Sequence, residues 1–203
     1  MMSAEKCAMR GVLRERRKQL PPQAVKAAGA AVCALLSTLP VYQTAKLVIA
    51  YLPTENEIPT DRVIAESAPV HRELYLPKSG EKAGFVRWRV GEPLVRGPGG
   101  VLEPREGLPL PAVTSAVALV PVVGWDDKGT RLGRGGGFYD RAFGDATHGI
   151  VRLGLAYEFQ RCPALPCDPW DVALDYIITE QRVLRCGESE VRPGRLQIGG
   201  LRL

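Results

Sequence analysis

KLVIAYL, at Lys46 to Leu52, is a short β-branched and aromatic run closed by Pro53. Its near-continuous apolarity fits a strand covered on both faces, interior to a parallel sheet. Downstream, Thr60 and Asp61 can cap a short helix reaching Ser67, and ELYLP (Glu73 to Pro77) reads as the next strand, so a βαβ unit is the economical reading. FVRWRV (Phe85 to Val90) alternates like a half-exposed strand. Gly91 to Pro111 is crowded with Gly and Pro and reads as an ordered loop long enough for a binding role. VALVPVV (Val117 to Val123) is a second buried strand in which Pro121 marks a strand end or bulge, and Ile150 to Ala156 and Tyr176 to Thr179 read as two more. Upstream, Met9, Val12, Leu13 and Leu20 share one face of a basic amphipathic helix over Ala4 to Leu20, with Lys6, Arg10, Arg14 and Arg17 on another. After Pro21 and Pro22 an Ala-rich stretch to Leu39 suits a second helix, ended by Pro40. Helix and strand signals alternate throughout, which predicts an α/β fold: a single-domain layered sheet, mostly parallel, with helices on both faces. Residues 1–186 form that domain. Gly187 to Leu203, rich in Gly, Arg and Glu and without periodicity, is expected to be a loosely ordered tail.

The 203 residues suffice for one compact core. The longest apolar run, Ala27 to Leu36, is far short of the ~20 residues a bilayer crossing needs, so no membrane partner is expected. Met1 to Arg17 alternates charged and apolar residues rather than offering a secretory signal, and a cytoplasmic location is the default expectation. Cys7, Cys33, Cys162, Cys167 and Cys186 are an odd set with no Cys-x-x-Cys pair, and His71 and His148 lie near none of them, which argues against a disulfide framework or a zinc site. The net charge of +5 favours anionic partners. Nucleic acid is disfavoured among them, because the few aromatics are not interleaved with basic residues as stacking platforms would be.

The unusual segment is GWDDKGTRLGRGGGFYDR, from Gly124 to Arg141. Gly133, Gly135, Gly136 and Gly137 lack Cβ atoms, so successive backbone N–H groups can turn toward phosphate oxygens, and Arg131 and Arg134 can add charge-assisted donors. The segment matches neither the P-loop pattern nor the dinucleotide fingerprint. On composition alone, a flexible Gly-rich hairpin with solvated arginines fits as well. Asp126 and Asp127 read as turn formers with Lys128 and Gly129.

LGRGGGFYDR (Leu132 to Arg141) closely resembles the signature of the 5-formyltetrahydrofolate cyclo-ligase family, also called methenyltetrahydrofolate synthetase. Further segments agree in order: a Lys-x-x-x-Arg helix at Lys6 and Arg10, YLPTENEIPTD (Tyr51 to Asp61), GVLEP (Gly100 to Pro104) and WDVALDYIITE (Trp170 to Glu180). Two departures stand out: Trp170 where the family has His, and Gly136 where some relatives carry Lys.

The resemblance implies a Rossmann-like layer of the NagB/RpiA/CoA-transferase type and an ATP-dependent closure of 5-formyltetrahydrofolate to 5,10-methenyltetrahydrofolate, through an iminium phosphate, with Mg²⁺. It implies Arg134 and Tyr139 as catalytic, and Lys6, Arg10, Arg131, Leu132, Gly133, Arg134, Gly135, Gly136, Gly137, Phe138 and Tyr139 as ATP-binding. Leu52, Glu57, Arg134, Gly135, Gly136, Gly137 and Phe138 would contact the folate, polyglutamylated or not. Asp140 and Asp175 would be the metal ligands. Core packing is the rival role for Phe138 and Tyr139, and Arg14 and Arg17 are expected to be solvated. A monomer or weak dimer is expected. The alternative is a catalytically silent relative that uses the basic helix and glycine loop as an anion cradle for a nucleotide, a folate or RNA.

Overall fold

The computed structural model describes residues 4–67, 72–80, 83–112, 115–144 and 149–187. The expected tail beyond Gly187, together with His71 and His148, lies outside the described residues.

Helices α1 (Ala4–Lys18), α2 (Pro22–Leu36) and the single-turn α3 (Pro40–Gln43) precede strand β1 (Leu47–Ile49), after which come α4 (Asp61–Ser67), β2 (Glu73–Lys78) and β3 (Gly84–Arg87). Strands β4 (Leu94–Arg96), β5 (Leu102–Pro104), β6 (Ala116–Pro121), β7 (Gly124–Trp125) and β8 (Arg131–Leu132) lead to α5 (Phe138–Gly144). The chain closes with β9 (Ile150–Leu155), β10 (Tyr176–Ile178) and β11 (Val183–Arg185).

Seven strands form the main sheet in the order β11-β10-β9-β6-β1-β2-β3. The five central strands pair in parallel, and β3 and β11 add an antiparallel strand at either edge. Alternating side chains explain why both faces are covered. Val48, Val117, Leu119, Leu153 and Ile178 pack under α2, α3 and α4, while Ile49, Ala118, Val120, Ile150 and Ile177 pack toward α5. Each fully buried Val, Leu or Ile side chain among these contributes roughly 1.5–3 kcal/mol relative to exposure. The mostly parallel, doubly covered sheet predicted from KLVIAYL and VALVPVV is therefore present, with Pro121 at a strand end as expected.

Three local readings change. Gly91 to Pro111 is not a plain loop: β4 and β5 pair as a hairpin around a short 3₁₀ turn at Pro98–Gly100, and β11 gave no signal strong enough to be read as a strand. The Thr60 hydroxyl does not cap α4; it donates to the buried Tyr51 carbonyl at 2.5 Å. Val12 departs from the apolar stripe of α1 and is 70% exposed, while Met9 and Leu13 pack on Val123, Leu132, Cys162 and Leu165.

The sheet order reverses between β1 and β6, since the chain passes outward from β1 to β2 and later returns to β6 on β1's other side. Crevices beyond the carboxyl ends of strands at such a switch point are where open α/β sheets bind ligands. The turn after β1 and the β7–β8 hairpin after β6 are the segments placed there.

Candidate active site

The turn after β1 carries two consecutive non-glycine residues with positive φ, Glu55 at 50° and Asn56 at 57°. Such backbone persists where the surroundings hold it. Asn56 Nδ2 donates to the Arg17, Lys18 and Leu20 carbonyls, which ties the carboxyl end of α1 to the turn. The Tyr157 hydroxyl donates to the Asn56 carbonyl at 2.9 Å, and Arg14 donates to both Glu55 oxygens. The Arg14 hydrogen bond holds the Glu55 carboxyl below the usual carboxylate range.

Glu57 is buried, and its Oε2 accepts from the Thr54 amide at 3.0 Å and hydroxyl at 3.3 Å. Leu52, just before this turn, is half-buried against the core. Burial pushes the Tyr139 phenol well above its ordinary value, and the Glu57 carboxylate pushes it further. The same causes raise Tyr51, while Tyr157 is pushed up to about 12, chiefly by burial and against the nearby Arg17. All three phenols therefore keep their protons at neutral pH, and two of them donate to backbone carbonyls, Tyr51 to Ile58 and Tyr157 to Asn56.

Arg10 reaches from α1 to the glycine segment, with its Nε donating to the Gly133 carbonyl at 2.9 Å. Arg134 Nη1 donates to the Thr54 hydroxyl at 2.9 Å, and Arg141 Nη1 donates to the Gly136 carbonyl at 2.8 Å. Gly135 and Gly137 have φ of 102° and 62°, a left-handed backbone that glycine adopts without the steric cost a Cβ brings. The amides of Gly133 through Gly137 donate to no acceptor among the described residues. A run of unpaired N–H groups beside Arg10 and Arg134 is what an anion-binding concavity needs. Leu132, by contrast, is a fully buried packing residue that anchors the segment.

Phe138 and Tyr139 stack edge-on with ring centroids 5.3 Å apart and join Phe85 and Phe143 in one aromatic cluster. Their core role is thus in place, although both retain some exposure. The Tyr139 hydroxyl bonds to no described residue.

Several expected ligand contacts are instead engaged within the chain. Lys6 is buried, and its Nζ donates to Asp168 and Asp171 at 2.7 Å each. Arg131 donates to the Val172 carbonyl and, at 2.6 Å, to Asp140 Oδ1. Asp140 Oδ1 also accepts from the Val172 amide at 3.2 Å, leaving Oδ2 without a hydrogen bond among the described residues. Asp175 is not gathered with Asp140: Arg152 donates to both its oxygens, with an additional bond from the Arg152 amide. Among the described residues no three His, Cys, Asp or Glu side chains form a metal cluster. One free oxygen on Asp140 fits a Mg²⁺ ion that arrives on phosphates, since Mg²⁺ takes one or two carboxylates and keeps its other positions for phosphate and water. Asp175, with both oxygens engaged by Arg152, is the less suited of the two expected ligands.

Arg14 and Arg17, expected to be solvated, are paired, and Arg17 is wholly buried. Thr54, Asn56, Tyr157 and Gln160 also build the site without having been singled out. Gln160 Nε2 donates to the Val122 and Val123 carbonyls at the end of β6. Only the polar side chains flanking a buried strand could have pointed to them.

The model of the 5-formyltetrahydrofolate cyclo-ligase family matches residues 2–180. The chain is 29% identical over 181 residues to the 5-formyltetrahydrofolate cyclo-ligase of Escherichia coli (strain K12), covering 85% of this chain and 98% of that protein. It is 27% identical over 190 residues to the Mycolicibacterium smegmatis protein of the same name, covering 90% and 97%. The NMR structure of Aquifex aeolicus 5,10-methenyltetrahydrofolate synthetase superposes with a TM-score of 0.77 at 29% identity, covering 96% of this chain and 99% of that one. With the glycine segment, the basic helix and the β1 turn lying inside the matched span, the chain belongs to the 5-formyltetrahydrofolate cyclo-ligase family.

Proposed function

We propose that the protein converts 5-formyltetrahydrofolate and ATP into 5,10-methenyltetrahydrofolate, ADP and phosphate. The observation that carries the site assignment is the meeting of three segments at the β1/β6 switch point: Arg10 bonded to Gly133, Arg134 bonded to Thr54, and Glu57 buried beside them. Family membership supports the reaction.

The chemistry asks for alignment and charge neutralisation more than for a protein nucleophile. The unpaired amides of Gly133 to Gly137, with Arg10 and Arg134, bind the triphosphate. Arg134 neutralises charge that develops as the formyl oxygen bonds to the γ-phosphorus and the bond to ADP breaks. N10 then attacks the activated formyl carbon, the carbon–oxygen bond breaks to release phosphate, and the N10 proton leaves. Asp140, through its Oδ2, is the residue that would hold a Mg²⁺ ion, which when bound would add charge neutralisation on the phosphates. Glu57 accepts hydrogen bonds from pterin N–H groups, and Leu52 and Phe138 offer apolar surface to the ring. Tyr139 offers its phenolic O–H as a hydrogen-bond donor within the site and keeps its proton. Lys6 holds the Asp168–Asp171 segment and reaches phosphate only by exchanging those partners. One domain over residues 1–186 carries the whole site in this reading.

Purified protein is incubated with 5-formyltetrahydrofolate and MgATP, with each omitted in turn, and methenyl absorbance is followed. Product that requires both substrates is expected. No ATP-dependent product, with ATP or folate still bound, leaves the catalytically silent binding role instead.

A further inference from the structure

Arg17 is shut away from solvent, at 0% exposure, yet one arm of its guanidinium is not used for hydrogen bonding. Its Nε donates to the Glu55 carbonyl at 2.9 Å and its Nη1 to the Val122 carbonyl at 3.1 Å. Those two bonds fasten α1 to both sides of the switch point, the turn after β1 and the end of β6. Nη2 makes no hydrogen bond to the described residues; it lies between carboxylates, 3.6 Å from Glu57 Oε1 and 3.7 Å from Glu55 Oε2.

That spacing separates two effects that usually come together. A carboxylate as buried as Glu57, 5% exposed, needs a compensating charge nearby. A guanidinium in full bidentate contact would supply the charge and also occupy the lone pairs. Here Glu57 Oε2 is taken by the Thr54 amide and hydroxyl, whereas Oε1 accepts no hydrogen bond from the described residues. Arg17 therefore gives Glu57 its counter-charge while leaving Oε1 open as an acceptor. A group serving only as a strut between α1 and the sheet would have no reason to leave a buried donor unmade, since that costs free energy.

We infer that Arg17 is a positioning residue for the folate: acting through Glu57, it holds that carboxylate compensated and aimed so that Oε1 can accept the N–H donors of the substrate ring. Arg17 itself does not touch the substrate. The inference rests on the reading of Glu57 as the substrate-binding carboxylate.

The test is a double-mutant cycle on the full chain, with binding of 5-formyltetrahydrofolate and of ATP each measured by calorimetry, turnover measured alongside, and folding monitored by thermal melts. Glu57→Gln and Arg17→Met are each expected to weaken folate binding about tenfold while ATP affinity stays within about twofold, as loss of one charge-assisted contact implies. The double variant is expected to be no weaker than the worse single variant, because both remove one interaction. Arg17→Lys, which keeps charge but not the fork, is expected to recover part of the affinity; if Arg17→Met does not fold, Arg17→Lys carries the same cycle. Additive losses, or equal losses for ATP and folate, overturn the role of Arg17 alone. Unaltered folate binding in Glu57→Gln removes the reading of Glu57 itself, and this inference with it.

Discussion

Arg10 on α1 and Gly133 in the glycine segment are joined by a 2.9 Å hydrogen bond across 123 residues of chain, the Arg10 Nε donating to the Gly133 carbonyl. This contact turns the carbonyl toward the helix, and the amides of the following glycines are left without acceptors among the described residues. The basic helix is thus part of the loop's scaffold as well as a source of positive charge.

Arg134 is the exposed member of the cradle, and its Nη1 donates to the Thr54 hydroxyl. Replacing it with alanine is expected to leave the melting temperature within about 2 °C, as for surface substitutions. Turnover should fall by roughly a hundredfold, as when one preorganised donor to a developing charge is removed. Steady-state kinetics with a parallel melt check both; wild-type turnover would detach Arg134 from the chemistry.

The glycines differ in how far the backbone needs them. A Cβ on Gly136 meets nothing within 4 Å, whereas Gly137 has φ of 62° and a Cβ there would lie 2.9 Å from Arg141 Nη1. Gly137→Ala should therefore cost about 1–2 kcal/mol of stability. Gly136→Ala should fold like wild type and keep ATP affinity within about twofold, since its Cβ enters open space and some relatives carry Lys at that position. Melts and ATP titrations of the two variants separate these outcomes; a stability loss in Gly136→Ala equal to that of Gly137→Ala would contradict the difference between the two positions.

Acid should loosen the attachment of α1. Burial alone would raise Asp171, but the Asp168 amide, Lys6 and Arg131 together hold it below its ordinary 3.8. Arg14 likewise lowers Glu55, and Arg161 lowers Asp127. Groups lowered in the fold contribute stability that is present above their unfolded values and lost as pH falls through their folded ones. Lys6 has the opposite sign. Burial would lower it, yet Asp168 and Asp171 raise it above 10.5, so its contribution is present below that value and lost only as pH rises past it. Melting temperature should accordingly be flat from about pH 5 to 9 and decline below about pH 4. Lys6→Met should flatten the acid decline, and an unchanged profile in that variant would contradict the assignment.

The five cysteines should divide by burial. Burial pushes the Cys33 and Cys162 thiols up and raises Cys186 to about 12, so none of the three is appreciably ionised at neutral pH. Cys7 and Cys167 are exposed. Brief iodoacetamide treatment of native protein, followed by peptide mass analysis, should find the label on Cys7 and Cys167; rapid labelling of Cys186 would show that β11 opens readily.

Much of this was legible in the sequence for a local reason. KLVIAYL and VALVPVV are short near-continuous apolar runs rich in β-branched residues, which suit strands covered on both faces, so the parallel sheet could be read from neighbouring residues. The glycine segment was legible for the same reason, because positive φ and missing Cβ atoms are properties of single positions. What could not be read was the pairing of distant charges. Lys6 finds Asp168 and Asp171 more than 160 residues away, and Arg152 claims Asp175 across the β9–β10 pair. Arg10, Arg14 and Arg17 share one helical stripe that reads as a solvated basic face; the turn after β1 folds against it and buries the last of them. The β4–β5 hairpin was obscured because its Gly and Pro residues sit between strands of only three residues.

The most direct measurement is a crystal structure of the protein with a non-hydrolysable ATP analogue and 5-formyltetrahydrofolate bound together. The triphosphate is predicted against the amides of Gly133 to Gly137 with Arg10 and Arg134 on its oxygens, and the formyl oxygen facing the γ-phosphorus. A triphosphate seated elsewhere, with those amides still facing solvent, would contradict the account.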